Sequence, residues 1–252
     1  MNIAEHFDPR NTSKLIGLEK YFIFFKELLF SEKLPKVLLL TGDQGIGKNT
    51  LITHLMNFYF DKNNYDEGKN QITNNTFSKK YLNNLFPNIV YLDGDNSKLT
   101  NIDEIRSLKK LLLKSNISSL KRFIILDNVE KINTNSLNAL LKLIEEPGDN
   151  NNFILINNKT FPLIDTIRSR CIDFKIIINQ NSRNKIINFL MDFHKQKIIF
   201  EENFIFVSPG NFLKFNYIFD KNNINANDEF LLIYWAFCLF NLLVLSNKFF
   251  IV

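Results

Sequence analysis

The sequence is poor in the residues on which small cross-linked proteins depend, with two cysteines, eight glycines, six prolines and one tryptophan among 252 residues. Cys171 and Cys238 are too few for a disulfide framework or for a four-ligand zinc site. The first residues also lack the basic and then apolar pattern of a secretion signal. We therefore expect a cytoplasmic protein in a reducing compartment, without zinc.

A large excess of charge of one sign is absent as well, since the net charge is +5. This charge is compatible with a nucleic-acid partner, but a lysine-rich composition gives the same excess, so the charge alone decides nothing. Charged residues make up 23% and hydrophobic residues 45%, as in an ordinary globular protein. The length predicts one large domain or a few small ones.

Only one long hydrophobic run is present, Phe230–Leu245, near the end of the chain. It is shorter than the ~20 residues that a membrane-spanning helix needs, and Asn241 interrupts it. We predict a buried helix of a helical domain or of a subunit interface, and no membrane contact. A membrane anchor is the alternative.

Three of the scarce glycines lie between a predicted strand, Val37–Thr41, and a predicted helix, where Gly42, Gly45 and Gly47 precede Lys48. The spacing G-x-x-x-x-G-K is typical of a phosphate-binding loop, in which backbone N–H groups surround phosphate oxygens and the lysine reaches the outer phosphates. Glycine permits the close approach of the backbone, and the helix N-terminus adds partial positive charge. The stretch therefore predicts a nucleotide-binding loop.

The magnesium position of this loop departs from the motif. Ser or Thr should follow the lysine and ligate Mg²⁺, but Asn49 stands there and Thr50 comes one place late. An amide oxygen can ligate Mg²⁺, although the longer side chain places it differently. Asp127 ends an apolar strand and is the predicted holder of the metal's hydration shell. Asn128 follows it where a catalytic base often stands, and Glu130 is two residues further than that place.

Short apolar strands alternate with helical segments over most of the chain. The strands after Val37–Thr41 are predicted at Asn88–Leu92, Lys121–Asp127, Asn152–Ile156 and Cys171–Ile178. This alternation predicts the α/β class, with a five-stranded parallel sheet that carries helices on both faces. The polar, Asn-rich segment Asp61–Lys80 is predicted to be an exposed excursion or a disordered loop.

Polar breaks suggest three parts of the chain. Residues 1–178 form the predicted α/β domain. Residues 179–222 form a small helical lid domain, with helices predicted at Ser182–Phe200 and Asn211–Phe219. Residues 223–252 form a third part.

Several blocks of sequence recur together in one known family. Thr166–Cys171 (TIRSRC), Ser136–Pro147 (SLNALLKLIEEP) and Phe153–Asn158 (FILINN) resemble the AAA+ clamp-loader family in content and order. The segment IDEIRSLKKLL and the sequence SPGN at Ser208–Asn211 agree with it as well. The resemblance covers about residues 5–215 and implies an AAA+ P-loop fold. It also implies that residues 223–252 are the start of a helical collar that is short or truncated.

The resemblance implies a role for individual residues. Arg170, the arginine of S-R-C, corresponds to the residue that reaches the triphosphate held by a neighbouring subunit, a task that suits a permanently charged planar guanidinium. Asn157 or Asn158 corresponds to the polar sensor beside the γ-phosphate, and Lys214 to a second sensor. Arg168 is expected to be an ordinary surface charge.

The departures from the family pattern concern hydrolysis. Gamma/tau-type motor subunits carry G-K-[ST], an Asp-Glu pair and four zinc-binding cysteines, whereas this chain has Asn49, Asn128 and no cysteine before Cys171. The pattern instead resembles delta prime-type subunits of the bacterial DNA polymerase III clamp loader, which keep the fold and the arginine but have a decayed nucleotide site. Bound ATP or ADP is expected to be weak or absent, with Mg²⁺ only alongside nucleotide.

The resemblance implies a part in DNA replication. The expected partners are gamma/tau-type and delta-type subunits, the sliding clamp and, through the complex, primer–template DNA. The chain itself is expected to have no ATPase activity. Two alternatives remain: an active gamma/tau-type motor that uses Asn49 as a Mg²⁺ ligand and Glu130 as base, and a membrane-associated P-loop protein.

Overall fold

The computed structural model describes most of the chain up to Lys221, namely residues 7–74, 76–95, 102–112, 120–199 and 207–221. The predicted collar, residues 223–252, and the hydrophobic run inside it lie outside the described residues.

A parallel sheet of five strands forms the centre of the molecule, in the spatial order β4-β5-β6-β1-β7. The strands are β1 Val37–Thr41, β4 Ile89–Asp93, β5 Arg122–Asp127, β6 Asn151–Asn157 and β7 Ile172–Lys175. A separate antiparallel pair consists of β2 Tyr65–Asp66 and β3 Gln71–Ile72. The predicted five-stranded parallel sheet is confirmed.

Eight helices accompany the sheet in the described part of the chain. They are α1 Glu19–Phe30, α2 Lys48–Phe60, α3 Thr76–Leu82, α4 Ile102–Leu112, α5 Thr134–Glu145, α6 Asp165–Arg168, α7 Gln180–Phe193 and α8 Pro209–Lys221. Asn133 caps the start of α5, where its side chain accepts a hydrogen bond from the backbone N–H of Ser136 at 2.8 Å.

Both faces of the sheet are covered along β1, β5 and β6, whose central residues are apolar and buried on either face. In β1, Leu38 and Leu40 pack into one core with α1 and α2, whereas Val37 and Leu39 pack into a second core with α5. This continuous apolar pattern is what a parallel sheet between two helical layers requires. None of the helices among the described residues has the length and apolar composition needed to cross a bilayer.

The prediction for Asp61–Lys80 is wrong. After a short 3-10 turn the segment forms the β2–β3 pair and most of α3. Three of its large side chains are buried against the same core as α1 and α2, and they are Tyr65, Ile72 and Phe77. Tyr81, the residue after the predicted excursion, is buried there as well. A few well-placed aromatic residues outweigh the polar average of the segment.

The helical part that follows the sheet differs from the prediction in its bounds. Helix α7 begins at Gln180, capped by Asn179, and ends at Phe193, well before the predicted Phe200. The chain turns there through Lys195, which has φ 52°. Phe212 and Leu213 of α8 pack with Ile187 and Met191 of α7 and with Phe7 from the start of the described chain.

The register of the sheet brings the polar strand ends together. Thr41, the last residue of β1, pairs with Asn157 of β6, and Asp93 of β4 pairs with Asp127 of β5. The carboxyl ends of all five strands meet at one edge, where ligands of open α/β sheets generally bind.

Candidate functional site

The glycine-rich loop leaves β1 and enters α2 in the geometry of an anion cradle. Gly45 and Gly47 have φ values of 85° and 98°, which glycine adopts without strain. The backbone N–H groups of Gly45, Gly47, Lys48 and Asn49 have no hydrogen-bond acceptor in the described structure. Unpaired donors at the start of a long helix favour the binding of phosphate oxygens.

Lys48 lies against its own loop. Its Nζ donates to the carbonyl oxygens of Gly42 at 2.6 Å and Asp43 at 2.8 Å. Burial disfavours the charged form and lowers the pKa of the ammonium from 10.5 to about 8, although the nearby carboxylate of Asp127 acts in the opposite direction. The lysine is therefore held at the loop before any ligand arrives.

Asp127 is surrounded by hydrogen-bond donors. Its Oδ2 accepts from Asn49 Nδ2 at 2.7 Å and from the hydroxyl of Tyr91 at 2.9 Å. Its Oδ1 accepts from the backbone N–H of Asn128 at 2.8 Å and from Asn158 Nδ2 at 3.2 Å. The residue at the magnesium position of the loop is thus bonded directly to the acid at the end of β5, two strands away from β1 in the sheet.

Sequence reasoning missed Tyr91, and no motif marks it. It lies in β4, beside β5, and its ring is covered by the guanidinium of Arg10, whose Cζ is 4.3 Å from the ring centroid. The signal that could have found it is its place near the carboxyl end of β4. Tyr91 stands two residues before Asp93, and Asp93 pairs with Asp127 at the end of β5. Burial raises the pKa of Tyr91 well above 10, and the charge of Asp127 adds to this, so its hydroxyl stays a donor.

Glu130 is engaged in structural hydrogen bonds. Its carboxylate accepts from the backbone N–H of Asn158 at 3.1 Å and from the hydroxyl of Thr160 at 2.7 Å. It is not among the residues that line the cavity. These bonds fix the turn after β6 and leave the alternative assignment, a catalytic base, without support from the geometry.

A cavity of about 570 Å³ lies in front of the loop. Seven of the predicted binding residues line it, namely Gly45, Gly47, Lys48, Asn49, Thr50, Asp127 and Lys214. Thr50 turns its hydroxyl towards the carbonyl oxygen of Pro9, at 3.3 Å, and so does not replace the missing Mg²⁺ ligand. Burial lowers the pKa of Lys214.

Two predicted residues lie elsewhere. Gly42 is bound to Lys48 through its carbonyl and is not part of the cavity wall. Asn157 is buried at the end of β6, where its side chain accepts from the backbone N–H of Lys159 at 2.9 Å. Asn158 lines the cavity instead, so of the two asparagines it is the one placed to sense a ligand.

The helical part closes over the loop. The hydroxyl of Ser208 donates to the carbonyl oxygen of Gln44, and the backbone N–H of Gly210 donates to that of Gly45 at 2.9 Å. A Cβ on Gly45 would lie 2.5 Å from the oxygen of Ser208, which requires glycine at this contact. The carbonyl oxygens of Gln44 and Gly45 thus accept hydrogen bonds from the helical part, whereas the N–H groups of Gly45 and Gly47 have no acceptor in the described structure.

Arg170 is separate from this cavity and faces solvent, with its side chain 36% exposed. Its Nε donates to Glu145 at 2.6 Å and its Nη1 to the carbonyl oxygen of Thr166 at 2.9 Å. The structure therefore places it where it has no contact with the chain's own loop.

The sheet order, the glycine loop after β1 and the acid at the end of β5, two strands away in the sheet, define a P-loop protein with the AAA+ α/β fold. A solved structure of a RuvB variant from Thermotoga maritima shares this fold, with a TM-score of 0.50 and 15% identity over 93% of this chain and 74% of that chain. The model of the family described as DNA polymerase III, delta subunit, matches residues 17–180. The chain belongs to this DNA polymerase III clamp-loader family.

Individual relatives carry different subunit names. DNA polymerase III subunit gamma of Buchnera aphidicola from Schizaphis graminum is 30% identical over 192 residues, which cover 75% of this chain and 50% of that protein. DNA polymerase III subunit delta' of Buchnera aphidicola from Baizongia pistaciae is 35% identical over 81 residues, which cover 32% of this chain and 24% of that protein. The chain spans about half the length of the gamma relative that it matches.

Proposed function

We propose that this chain is a delta prime-type subunit of the clamp loader, which hydrolyses little or no ATP itself and presents Arg170 to the ATP of a neighbouring motor subunit. The position of Arg170 carries this proposal. The side chain is exposed, it lies outside the chain's own cavity, and its guanidinium is a suitable group for charge on a transferring phosphoryl.

The ion pair with Glu145 allows Arg170 to change partners. Both side chains are more than a third exposed, at 36% and 45%. Exposed pairs of this kind contribute only ~0–1 kcal/mol, because water screens the attraction and ordering the side chains costs entropy. A neighbour's triphosphate, with more charge and several acceptor oxygens, can therefore displace Glu145 at little cost.

The chain's own cavity supports the non-hydrolysing part of the proposal. Asn128 cannot accept a proton from water at neutral pH, and Glu130 is bonded to Asn158 and Thr160. Lys48 is already bonded to two carbonyl oxygens, so a nucleotide must compete for it. We propose that ATP or ADP binds here weakly.

The partners proposed are gamma/tau-type and delta-type subunits, the sliding clamp and, through the complex, primer–template DNA. A protein of this class works in the cytoplasm, where the chromosome is replicated. The family membership and the names of the relatives support this assignment.

The proposal is tested by clamp loading. The full chain is assembled with its motor and delta partners, and loading of the clamp onto primed DNA is compared for the wild type, Arg170→Ala and the matched control Arg168→Ala. We expect Arg170→Ala to enter the complex normally but to slow loading by at least ~10-fold, since a trans arginine can contribute ~10³-fold to hydrolysis. Arg168→Ala should load normally. Unchanged loading by Arg170→Ala would refute the proposal.

A gamma/tau-type motor is the second candidate, because the match to the gamma relative covers 75% of this chain whereas the match to the delta' relative covers 32%. Steady-state ATP turnover by the isolated chain, abolished in Lys48→Ala, would favour this candidate. An isolated wild-type chain without turnover would exclude it.

A further inference from the structure

The carboxylate of Asp127 has no room left for a metal's hydration shell. A carboxylate offers about four acceptor positions on its two oxygens. Four donors occupy them, namely Asn49 Nδ2 at 2.7 Å, the Tyr91 hydroxyl at 2.9 Å, the Asn128 backbone N–H at 2.8 Å and Asn158 Nδ2 at 3.2 Å. A hydrated Mg²⁺ could reach Asp127 only after one of these donors had left.

Two of the donors are buried together with the acid. Asn49, Asp127 and Asn128 have little exposed surface, so a donor that left Asp127 would give up a charge-assisted hydrogen bond for little contact with water. Asn49 Nδ2 is also 2.9 Å from the Tyr91 hydroxyl, so these two groups and the carboxylate bond to one another in a closed triangle. The Arg10 guanidinium covers the ring of Tyr91 and holds it in place.

The amide of Asn49 also faces the acid with the wrong atom for metal binding. Its oxygen is the atom that could ligate Mg²⁺, but Nδ2 is the atom directed at Asp127. The oxygen is buried and has no hydrogen-bond partner in the described structure. The residues present therefore do not fit Mg²⁺.

The phosphate-binding half of the loop is intact by contrast. The N–H groups of Gly45, Gly47 and Lys48 remain without acceptors in the part of the chain described, and Lys48 adds its ammonium at the start of α2. We propose that the cavity binds a nucleoside di- or triphosphate without magnesium, and that Asp127 serves as a structural acceptor for Asn49 and Tyr91. This inference rests on the proposed function only in treating the cavity as a nucleotide site.

The test uses the full chain alone, so it can fail without affecting the assignment of Arg170. Binding of fluorescently labelled ADP is titrated in excess EDTA and in excess MgCl₂. The wild type is expected to bind ADP in EDTA. In magnesium its dissociation constant should be the same or higher, by no more than about twofold. Mn²⁺ in place of Mg²⁺ gives a second readout. The electron paramagnetic resonance spectrum of Mn²⁺ should show no ion coordinated by both the protein and the nucleotide.

Two variants examine the role of the triangle. Asn49→Ser combined with Tyr91→Phe supplies a ligating hydroxyl and removes two donors, and should bind ADP about tenfold more tightly with magnesium than without it. Tyr91→Phe alone is the milder variant if the double variant folds poorly. Tyr59→Phe removes a hydroxyl away from Asp127 and should behave as the wild type.

Each other result would overturn the proposal. Wild-type binding that requires magnesium would show that a metal site exists. Failure to bind ADP in either buffer would show that the cavity is not a nucleotide site. If the double variant bound ADP equally tightly with and without magnesium, Asn49 and Tyr91 would not be the residues that exclude the metal.

Discussion

Single residues set the geometry around Asp127 beside this P-loop. Asn49, at the place of Ser or Thr in the motif, puts a donor beside Asp127 and bonds to it. Asn128, at the place where an acid often stands, bonds through its amide to Asp93 at 2.8 Å. Burial and the charge of Asp127 raise the pKa of Asp93, and the bond to Asn128 only partly offsets this.

The buried ammonium of Lys48 predicts a specific pH dependence of stability. Its pKa falls from 10.5 to about 8 on folding, because burial disfavours the charge. Between these two values the unfolded chain binds more protons than the folded one, so this residue's contribution to the free energy of unfolding rises with pH. The full shift corresponds to roughly 3 kcal/mol.

As the pH rises from ~8 to ~10, we expect the free energy of unfolding of the wild type, measured in urea, to increase relative to that of Lys48→Met. Lys69→Met is the control, because its side chain is 72% exposed in the β2–β3 turn, and should show no such drift against the wild type. A difference between wild type and Lys48→Met that stays constant over this range would contradict the environment described for Lys48.

At the scale of elements, the alternation of short apolar segments predicted the strands of the sheet, because each strand buries a continuous apolar pattern. It failed for the segment that forms β2, β3 and α3. There the buried residues are isolated among asparagines and lysines, and partners can lie far away in sequence, as Tyr65 stacked on Phe22 shows. Single-sequence patterns contain no information about such contacts.

The packing of α3 gives a stability prediction. Phe77 is buried within an aromatic cluster, and Phe77→Ala should lower the free energy of unfolding by about 3–5 kcal/mol, through lost burial and the cavity left behind. Leu85→Ala removes a side chain that is 70% exposed and should change it by less than ~0.5 kcal/mol. Urea unfolding measures both. A loss below ~1 kcal/mol for Phe77→Ala would indicate a loosely attached segment.

At the scale of the whole molecule, the cavity and Arg170 form two separate sites. The motif residues of the loop could be predicted from sequence, because their spacing reflects backbone geometry that phosphate binding requires. Tyr91, the closure by Ser208 and Gly210, and the pairing of Arg170 with Glu145 could not, since each joins parts of the chain that are distant in sequence. Only the fold shows that Arg170 lies apart from the cavity in front of the loop.

The most direct test of this division is single-turnover ATP hydrolysis by the reconstituted complex. With Arg170→Ala, we expect hydrolysis at the one motor site that this arginine faces to slow ~10³-fold. The fast phase should therefore lose the amplitude that this site contributes. Arg168→Ala should leave the fast phase as in the wild type. A fast phase of unchanged rate and amplitude with Arg170→Ala would contradict the account.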